Sequence, residues 1–365
     1  MRIEAAETIV VEIPFKLRGS GVGIMPTAWK SLEFCLVRLT DELGNVGWGE
    51  GFGYFTVDAT KAIIDRLILP TLVGSTIGDI PRWNLEQQRR IHMFGRYGIT
   101  VFAISGVDIA LWDLAAKRAG VPLQRLLGAG EGARLAIPFY ASLVRYADAS
   151  LATTSCDEVL KAGFRSIKLH EVGLDEIEAC RTAVGPSVDL CTDVNCGWSE
   201  EFVAENRGRI EGLGLTWLEE PIFPPEDFAA LARVRGSGVP IAAGENWCTT
   251  RQFSEALRAG AVDIVQPSVT KVGGVSEFLS VLRLSDAAQA AVMPHSPYFG
   301  PGLYASLHIA AAHPSVHALE YNFVDPDAWL TDVNGLRDGG TVRVPEAPGL
   351  GFEPDPDVIR RYRRA

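Results

Sequence analysis

The chain has 365 residues, 47% of them hydrophobic, enough to bury one large core and a smaller second one. Its net charge is −11 and no long Lys/Arg run appears, so nucleic acid and anionic membrane are excluded as expected partners. Attraction of an anionic substrate must then be local, from a metal or a few placed cations.

The six cysteines (Cys35, Cys156, Cys180, Cys191, Cys196 and Cys248) show no CxxC spacing and read as reduced, packed thiols. The first 15 residues alternate apolar and polar as a strand does, without the continuous apolar run of a signal peptide. No stretch carries the roughly 20 uninterrupted apolar residues that span a bilayer. A cytoplasmic enzyme is expected.

In chain order, residues 4–15 and 32–49 read as strands, the second broken by a Gly44-Asn45 turn that predicts a hairpin. Apolar residues at three- and four-residue spacing predict a helix over 58–72. A longer helical region covers 98–127, interrupted near Gly120 and Pro122. Strands followed by helices make residues 1–130 an α+β module. From residue 131 the pattern becomes short apolar runs alternating with helical stretches, which predicts parallel strands and crossover helices. Eight such runs occur, at 136–142, 166–170, 188–195, 215–220, 240–246, 262–268, 290–296 and 316–321. The helix after the fourth run opens at Pro225-Glu226-Asp227, and Thr249-Thr250 is expected to cap the next.

Six runs end in polar or ionisable residues: Lys168 with His170, Asp193, Glu219, Glu245, His295 and Glu320. Asp193, Glu219 and Glu245 follow one another at 26-residue intervals, the length of one strand, one helix and two short loops. Eight such units describe a closed (β/α)8 barrel of the TIM type over residues 131–321, with the strand ends converging on one mouth. An open doubly wound sheet would scatter these residues along an edge. The tail, 322–365, is rich in Pro, Gly and Asp and is expected to return to the first module, completing an α+β capping domain.

Three carboxylates aimed at one place repel unless a cation holds them. A hard divalent ion with oxygen ligands answers this, and magnesium keeps positions open for substrate. Cys191, deeper on the strand of Asp193, reads as core filling. Lys168 and His170 share one strand face, and a buried lysine needs anions around it or loses its proton. His295 ends the seventh run across the barrel and is a candidate acid/base. Glu320 ends the eighth beside the carboxylates and could donate to a developing oxyanion if protonated. These pieces describe removal of the proton alpha to a carboxylate, with the enediolate stabilised by the metal, Lys168 and Glu320.

The motifs Lys168-Leu169-His170, Asp193-Val194-Asn195, Leu218-Glu219-Glu220-Pro221, Gly244-Glu245-Asn246 and Lys271-Val272-Gly273-Gly274 together resemble the ordered motifs of the mandelate racemase group of the enolase superfamily. The resemblance covers nearly the whole chain. It implies a modified barrel with a capping domain. Asp193, Glu219 and Glu245 would be its magnesium ligands, with His295 and Glu320 as acid/base and electrophilic groups. Homo-oligomers are common in that family, so one is expected. Two positions depart from the pattern. The family usually has Lys-x-Lys where this chain has Lys168 and His170, and an aspartate, or in the muconate-lactonizing group a lysine, where this chain has Ser268. Without a carboxylate partner His295 should be less basic. The base among Lys168, His170 and His295 stays open at this point.

Loops 16–30 and 50–60 carry glycines and aromatics suited to a closing lid, and in the resembled family such loops contact substrate. Arg18, Trp29 and Tyr54, with Asn195, are the substrate-binding candidates, for a small-molecule carboxylate. The leading expectation is an acid-sugar dehydratase yielding a 2-keto-3-deoxy acid. The alternative is a racemase, epimerase or cycloisomerase using the same intermediate. A zinc amidohydrolase would carry His-x-His on the first barrel strand, which reads Phe139-Tyr140-Ala141-Ser142. A non-catalytic binding protein would have little use for the complete carboxylate trio.

Overall fold

Alternation in the first 51 residues is what a half-buried sheet needs, and β1 (Ile3–Lys16), β2 (Ser31–Asp41) and β3 (Val46–Gly51) pair antiparallel in a computed structural model that describes residues 1–17 and 28–364. The expected hairpin turn is present: Asp41 accepts from the backbone N–H of Leu43 and of Asn45, and Gly44 takes φ 82°. Arg18 lies outside the described residues. The helix expected over 58–72 forms as α1 (Val57–Ile63), a π-helical segment (Ile64–Ile68) and α2 (Leu69–Leu72). Pro70 has no N–H to continue the ladder, and the change of register falls just before it.

A helix that hydrophobic periodicity did not predict, α3 (Ile80–Arg90), is strongly polar; its cues were the Asp79 N-cap, which accepts from the Arg82 N–H, and Pro81 in the first turn. The interrupted helical region resolves into α4 (Ile99–Ala119), stopped by Gly120 at φ 69°, and a short helix, Leu123–Leu126. By length and mean hydropathy α4 could cross a membrane, but 78% of its most apolar window is buried inside the protein. It lies so close to β3 that a Cβ on Gly49 would stand 1.9 Å from the carbonyl oxygen of Gly106.

All eight predicted runs contain a barrel strand: β4 (Ala136–Ser142), β5 (Ser166–Leu169), β6 (Asp189–Asp193), β7 (Leu218–Glu219), β8 (Ile241–Ala243), β9 (Ile264–Val265), β10 (Ala291–Val292) and β11 (Leu319–Asn322). They pair in parallel from β4 round to β10, β11 pairs with β4, and a bridge between Val292 and Val316 closes the ring. Most ladders are shorter than the apolar runs, because the strand ends leave the sheet to line the mouth. The helix expected to open at Pro225-Glu226-Asp227 starts later, at Phe228, with Asp227 as its N-cap accepting from the Ala230 N–H. Thr249-Thr250 does not cap the next. Cys248 holds that N-cap position, and the Thr250 N–H goes instead to Glu277 of the neighbouring helix. The tail joins both layers: β12 (Asp325–Pro326) pairs with β1, while β13 (Arg337–Asp338) and β14 (Thr341–Arg343) form a hairpin whose second strand pairs with β4.

Cap and barrel are joined by buried carboxylates. Asp108 of α4 accepts from Asn84 and, on the barrel side, from Ser276, while Asp113 ties α4 to β3 and the tail by accepting from the N–H groups of Trp48 and Leu350. Glu50 of β3 accepts from the Gly302 N–H in the first turn of the barrel helix Pro301–Ala312. Burial, opposed only by that hydrogen bond, pushes the Glu50 carboxyl from 4.5 up to about 7. The folded chain therefore keeps a proton that the unfolded chain releases near pH 4.5, and stability falls as pH rises towards 7. At ~1.36 kcal/mol per unit this is up to about 3 kcal/mol. In chemical denaturation at pH 5 and pH 8, Glu50→Gln should shrink the stability difference by that order, leaving the parallel contributions of Asp108 and Asp113. An unchanged difference would show that Glu50 is solvated.

Candidate active site

The carboxylates of Asp193, Glu219 and Glu245 come from β6, β7 and the residue two past β8, and each offers an oxygen within 4.8 Å of the others. Burial, then Glu219 beside it, pushes the Asp193 carboxyl well above its ordinary range. Its Oδ1 accepts from the backbone and side-chain N–H groups of Asn195 at 2.8 and 2.9 Å. Its buried Oδ2 has no hydrogen bond among the described residues, although the Lys168 ammonium stands 3.3 Å away. Glu219 accepts from Lys168 at 2.6 Å and from the Trp217 indole at 3.0 Å. An acceptor without a hydrogen bond, set among hard oxygen ligands, fits a hard divalent cation.

Lys168 is buried beneath the mouth, ion-paired to Glu219, Asp193 and, at 3.2 Å, Glu320. Burial disfavours its charge, but Glu219, Glu320 and Asp193 outweigh that and hold its pKa well above the ordinary lysine value. Glu320 also accepts from the Ser296 N–H at 3.3 Å. His170 meets the Leu143 carbonyl with Nδ1, an acceptor that requires the proton on that nitrogen, while Nε2 lies 3.5 Å from Asp193. Burial, then Lys168, holds its pKa below the usual value. His295 lies three residues past β10, with Nε2 at 3.1 Å from Glu245 and Nδ1 at 3.3 Å from the Tyr298 hydroxyl. Burial, opposed chiefly by Glu320, holds it well below the usual histidine range.

A cavity of about 220 Å³ lies over these groups, lined by His170, Asn195, Glu245, His295 and Glu320 from the barrel and by Trp29, Phe52, Tyr54 and Phe55 from the cap. Trp29 packs on Tyr54 with ring centroids 5.0 Å apart, and its buried indole N–H has no partner among the described residues. The Tyr54 hydroxyl donates to the Pro297 carbonyl at 2.8 Å, tying the cap loop to the loop that carries His295. Ser268 is buried three residues past β9, and its hydroxyl contacts the Tyr298 hydroxyl.

Three residues were given no role in the sequence reading. Arg145, past β4, lines the cavity with its buried Nε unpartnered among the described residues; only its place after a strand end could have signalled it. Glu220 is buried behind Glu219, where burial and then Glu245 push it up to about 8 and the Asn246 amide donates to both its oxygens. Asn246 in turn accepts from Lys271, which lies 4.7 Å from the Phe52 ring centroid. Tyr298 is the third, and its one cue was its place three residues after His295.

Residues 5–128 match the family described as mandelate racemase / muconate lactonizing enzyme, N-terminal domain, and residues 152–358 match enolase C-terminal domain-like. The chain belongs to the mandelate racemase/muconate lactonizing enzyme family. Within it, an arabinonate dehydratase of Saccharolobus solfataricus is 31% identical over 91% of both chains. A D-galactarolactone cycloisomerase of Agrobacterium fabrum is 30% identical over 90% of both. Among solved structures, a racemase from Streptomyces coelicolor with bound magnesium superposes with a TM-score of 0.85 at 28% identity, covering 99% of this chain and 100% of its own. The cap-and-barrel architecture expected from the motifs is thus that of the mandelate racemase/muconate lactonizing enzyme family.

Proposed function

We propose that this chain is a magnesium-dependent acid-sugar dehydratase, which removes the proton alpha to the substrate carboxylate and expels the beta hydroxyl. The observation that carries this reading is the carboxylate cluster with its unsatisfied Asp193 Oδ2, flanked by one imidazole on β5's end and another past β10. A dehydratase of arabinonate among the curated relatives supports the substrate class.

Asp193, Glu219 and Glu245 would hold magnesium, which when bound supplies Lewis-acid stabilisation of the charge that develops on the substrate carboxylate. Lys168 adds a fixed positive charge beneath the cavity, and Asn195 orients Asp193. Trp29, Tyr54 and Phe52 close the cavity from above and exclude water. His295 takes the alpha proton at Nε2. The imidazolium so formed returns the proton to the beta hydroxyl when both groups leave from one side; when they leave from opposite sides, His170 would have to enter the step as the imidazolium and donate from Nε2, and the cycle closes when His295 gives its proton to water and His170 takes one back. The C–H and C–O bonds break, water departs, and the enol tautomerises to a 2-keto-3-deoxy acid.

A second reading rests on the same two imidazoles. With a proton carrier at each side of the cavity, removal at one and return at the other would racemise, epimerise or cyclise the substrate, and the relative acting on D-galactarolactone supports it.

Magnesium titration followed by calorimetry should show binding that Glu219→Gln weakens by about 100-fold or more, and unchanged affinity would leave the trio without its proposed role. In a screen of sugar acids read by 2-keto acid formation with semicarbazide, turnover should vanish with EDTA, and His295→Asn should lower kcat by at least ~100-fold. In deuterated water, recovered substrate or epimer labelled at the alpha carbon, with no keto acid, would replace dehydration by the second reading.

A further inference from the structure

Three buried nitrogens on the cavity wall have no hydrogen-bond partner among the described residues: the indole Nε1 of Trp29, the amide Nδ2 of Asn322 and the guanidinium Nε of Arg145. Buried donors are nearly always satisfied, so one cavity lined by three that are not calls for an acceptor with several lone pairs. We propose that these donors form a subsite for a second carboxylate at the far end of the substrate, so that the acid sugar this chain prefers is an aldaric dianion and not an aldonic monoanion. The inference rests on the reading that the reacting carboxylate of an acid sugar lies over Asp193, Glu219 and Glu245, and it adds which acid sugars fit.

The barrel ring separates the two ends. Asp193 and Glu219 end β6 and β7 and Glu245 lies just past β8, whereas Asn322 ends β11 and Arg145 lies three residues past β4. Strands β11 and β4 are neighbours, with Asn322 paired to Ser142. In a closed ring of eight they stand opposite β7 and β8. Asn322 is two residues beyond Glu320 and so on the same strand face, one step nearer the opening. Trp29 reaches this side from the cap: its ring packs on Phe15 with centroids 4.9 Å apart, and Phe15 pairs with Pro326, four residues past Asn322. A substrate with one end over the metal carboxylates thus presents its other end to these donors.

Charge decides between a carboxylate and a hydroxyl at that end. Among the described residues Arg145 is the one lysine or arginine that lines the cavity, and a guanidinium keeps its charge at any working pH. The anion in its neighbourhood is Glu171, whose carboxylate is taken up by the N–H groups of Tyr146 and Ala147 at 2.8 and 3.0 Å; among the described residues no ion pair joins it to Arg145. A carboxylate offers two oxygens to the guanidinium fork, and such charge-assisted bonds are about twice as strong as those to a neutral hydroxyl. The Asn322 amide and the Trp29 indole add directed donors without adding negative charge. Across the mouth from the acidic cluster, a second carboxylate also escapes the repulsion it would meet nearer the metal ligands.

The test uses the full-length protein with magnesium chloride and matched acids that differ only in carrying a carboxylate or a hydroxymethyl group at the far end: galactarate against galactonate, xylarate against xylonate, and arabinarate against arabinonate. Calorimetry gives Kd for each, and semicarbazide absorbance gives kcat/KM. In at least one pair the dianion should bind about 10–100-fold tighter, and Arg145→Met should erase that preference while leaving the monoanion within about 3-fold. Asn322→Asp, which sets a carboxylate at the same end, should weaken the dianion alone and serves if Arg145→Met fails to fold. Equal affinity within every pair, preference for the monoanion, a dianion preference that survives these substitutions, or no binding of any of the six acids overturns the proposal. Dianion binding that depends on Arg145 but yields no keto acid would count against the dehydratase reading alone. Keto acid formed from the monoanions without any dianion preference would count against this subsite alone.

Discussion

The structure turns on how negative charge is tolerated at the end of an apolar barrel. Asp193, Glu219, Glu245, Glu220 and Glu320 crowd one mouth, and like charges ~4 Å apart repel by about 4 kcal/mol a pair at an effective dielectric near 20. Lys168, at 2.6 to 3.3 Å from three of them, offsets part of this from below. Lys271 does the same more weakly from the side, at 3.7 Å from Glu245. A divalent cation above would complete the balance. The carboxylates sit where the strands leave the sheet, because only there can a cation and a substrate reach them.

The cap is tied to the same place. Tyr54 holds the loop of His295 by its carbonyl neighbour Pro297, and the Phe52 ring lies against Lys271, which supports Asn246 and through it Glu220 and Glu245. Glu50 meets the first turn of the helix that follows that loop. The contacts that close the cavity are therefore also contacts that set the barrel groups in place. In the proposed reaction, a cap held this way would couple substrate enclosure to the alignment of the His295 imidazole.

Beside His295 the strand end carries the Ser268 hydroxyl, which contacts Tyr298, and Tyr298 reaches His295 Nδ1 from the following loop. His170, on the strand face of Lys168, meets the Leu143 carbonyl with Nδ1. Both rings line a cavity with Lys168 beneath it and Arg145 on its wall.

Much of this was legible in the residues themselves. The eight strands were readable because a strand buried on both faces must be a short apolar run, and the site positions because each such run closes on a polar residue at near-constant spacing. The polar helix α3 was not, since periodicity sees only an apolar face, nor was the break at Pro70, where hydrogen-bond register rather than pattern changes. Nor could the local sequence assign partners: that Lys168 is shared among three carboxylates, that Arg145 has a buried Nε without a partner among the described residues, and that the Ser268 and Tyr298 hydroxyls meet. Sequence alone determined which residues stand at the strand ends, because strand period and unit length are local properties of the chain. Tertiary structure alone decided which of their atoms meet, because those distances depend on how the barrel closes and how the cap's loops lie across its mouth.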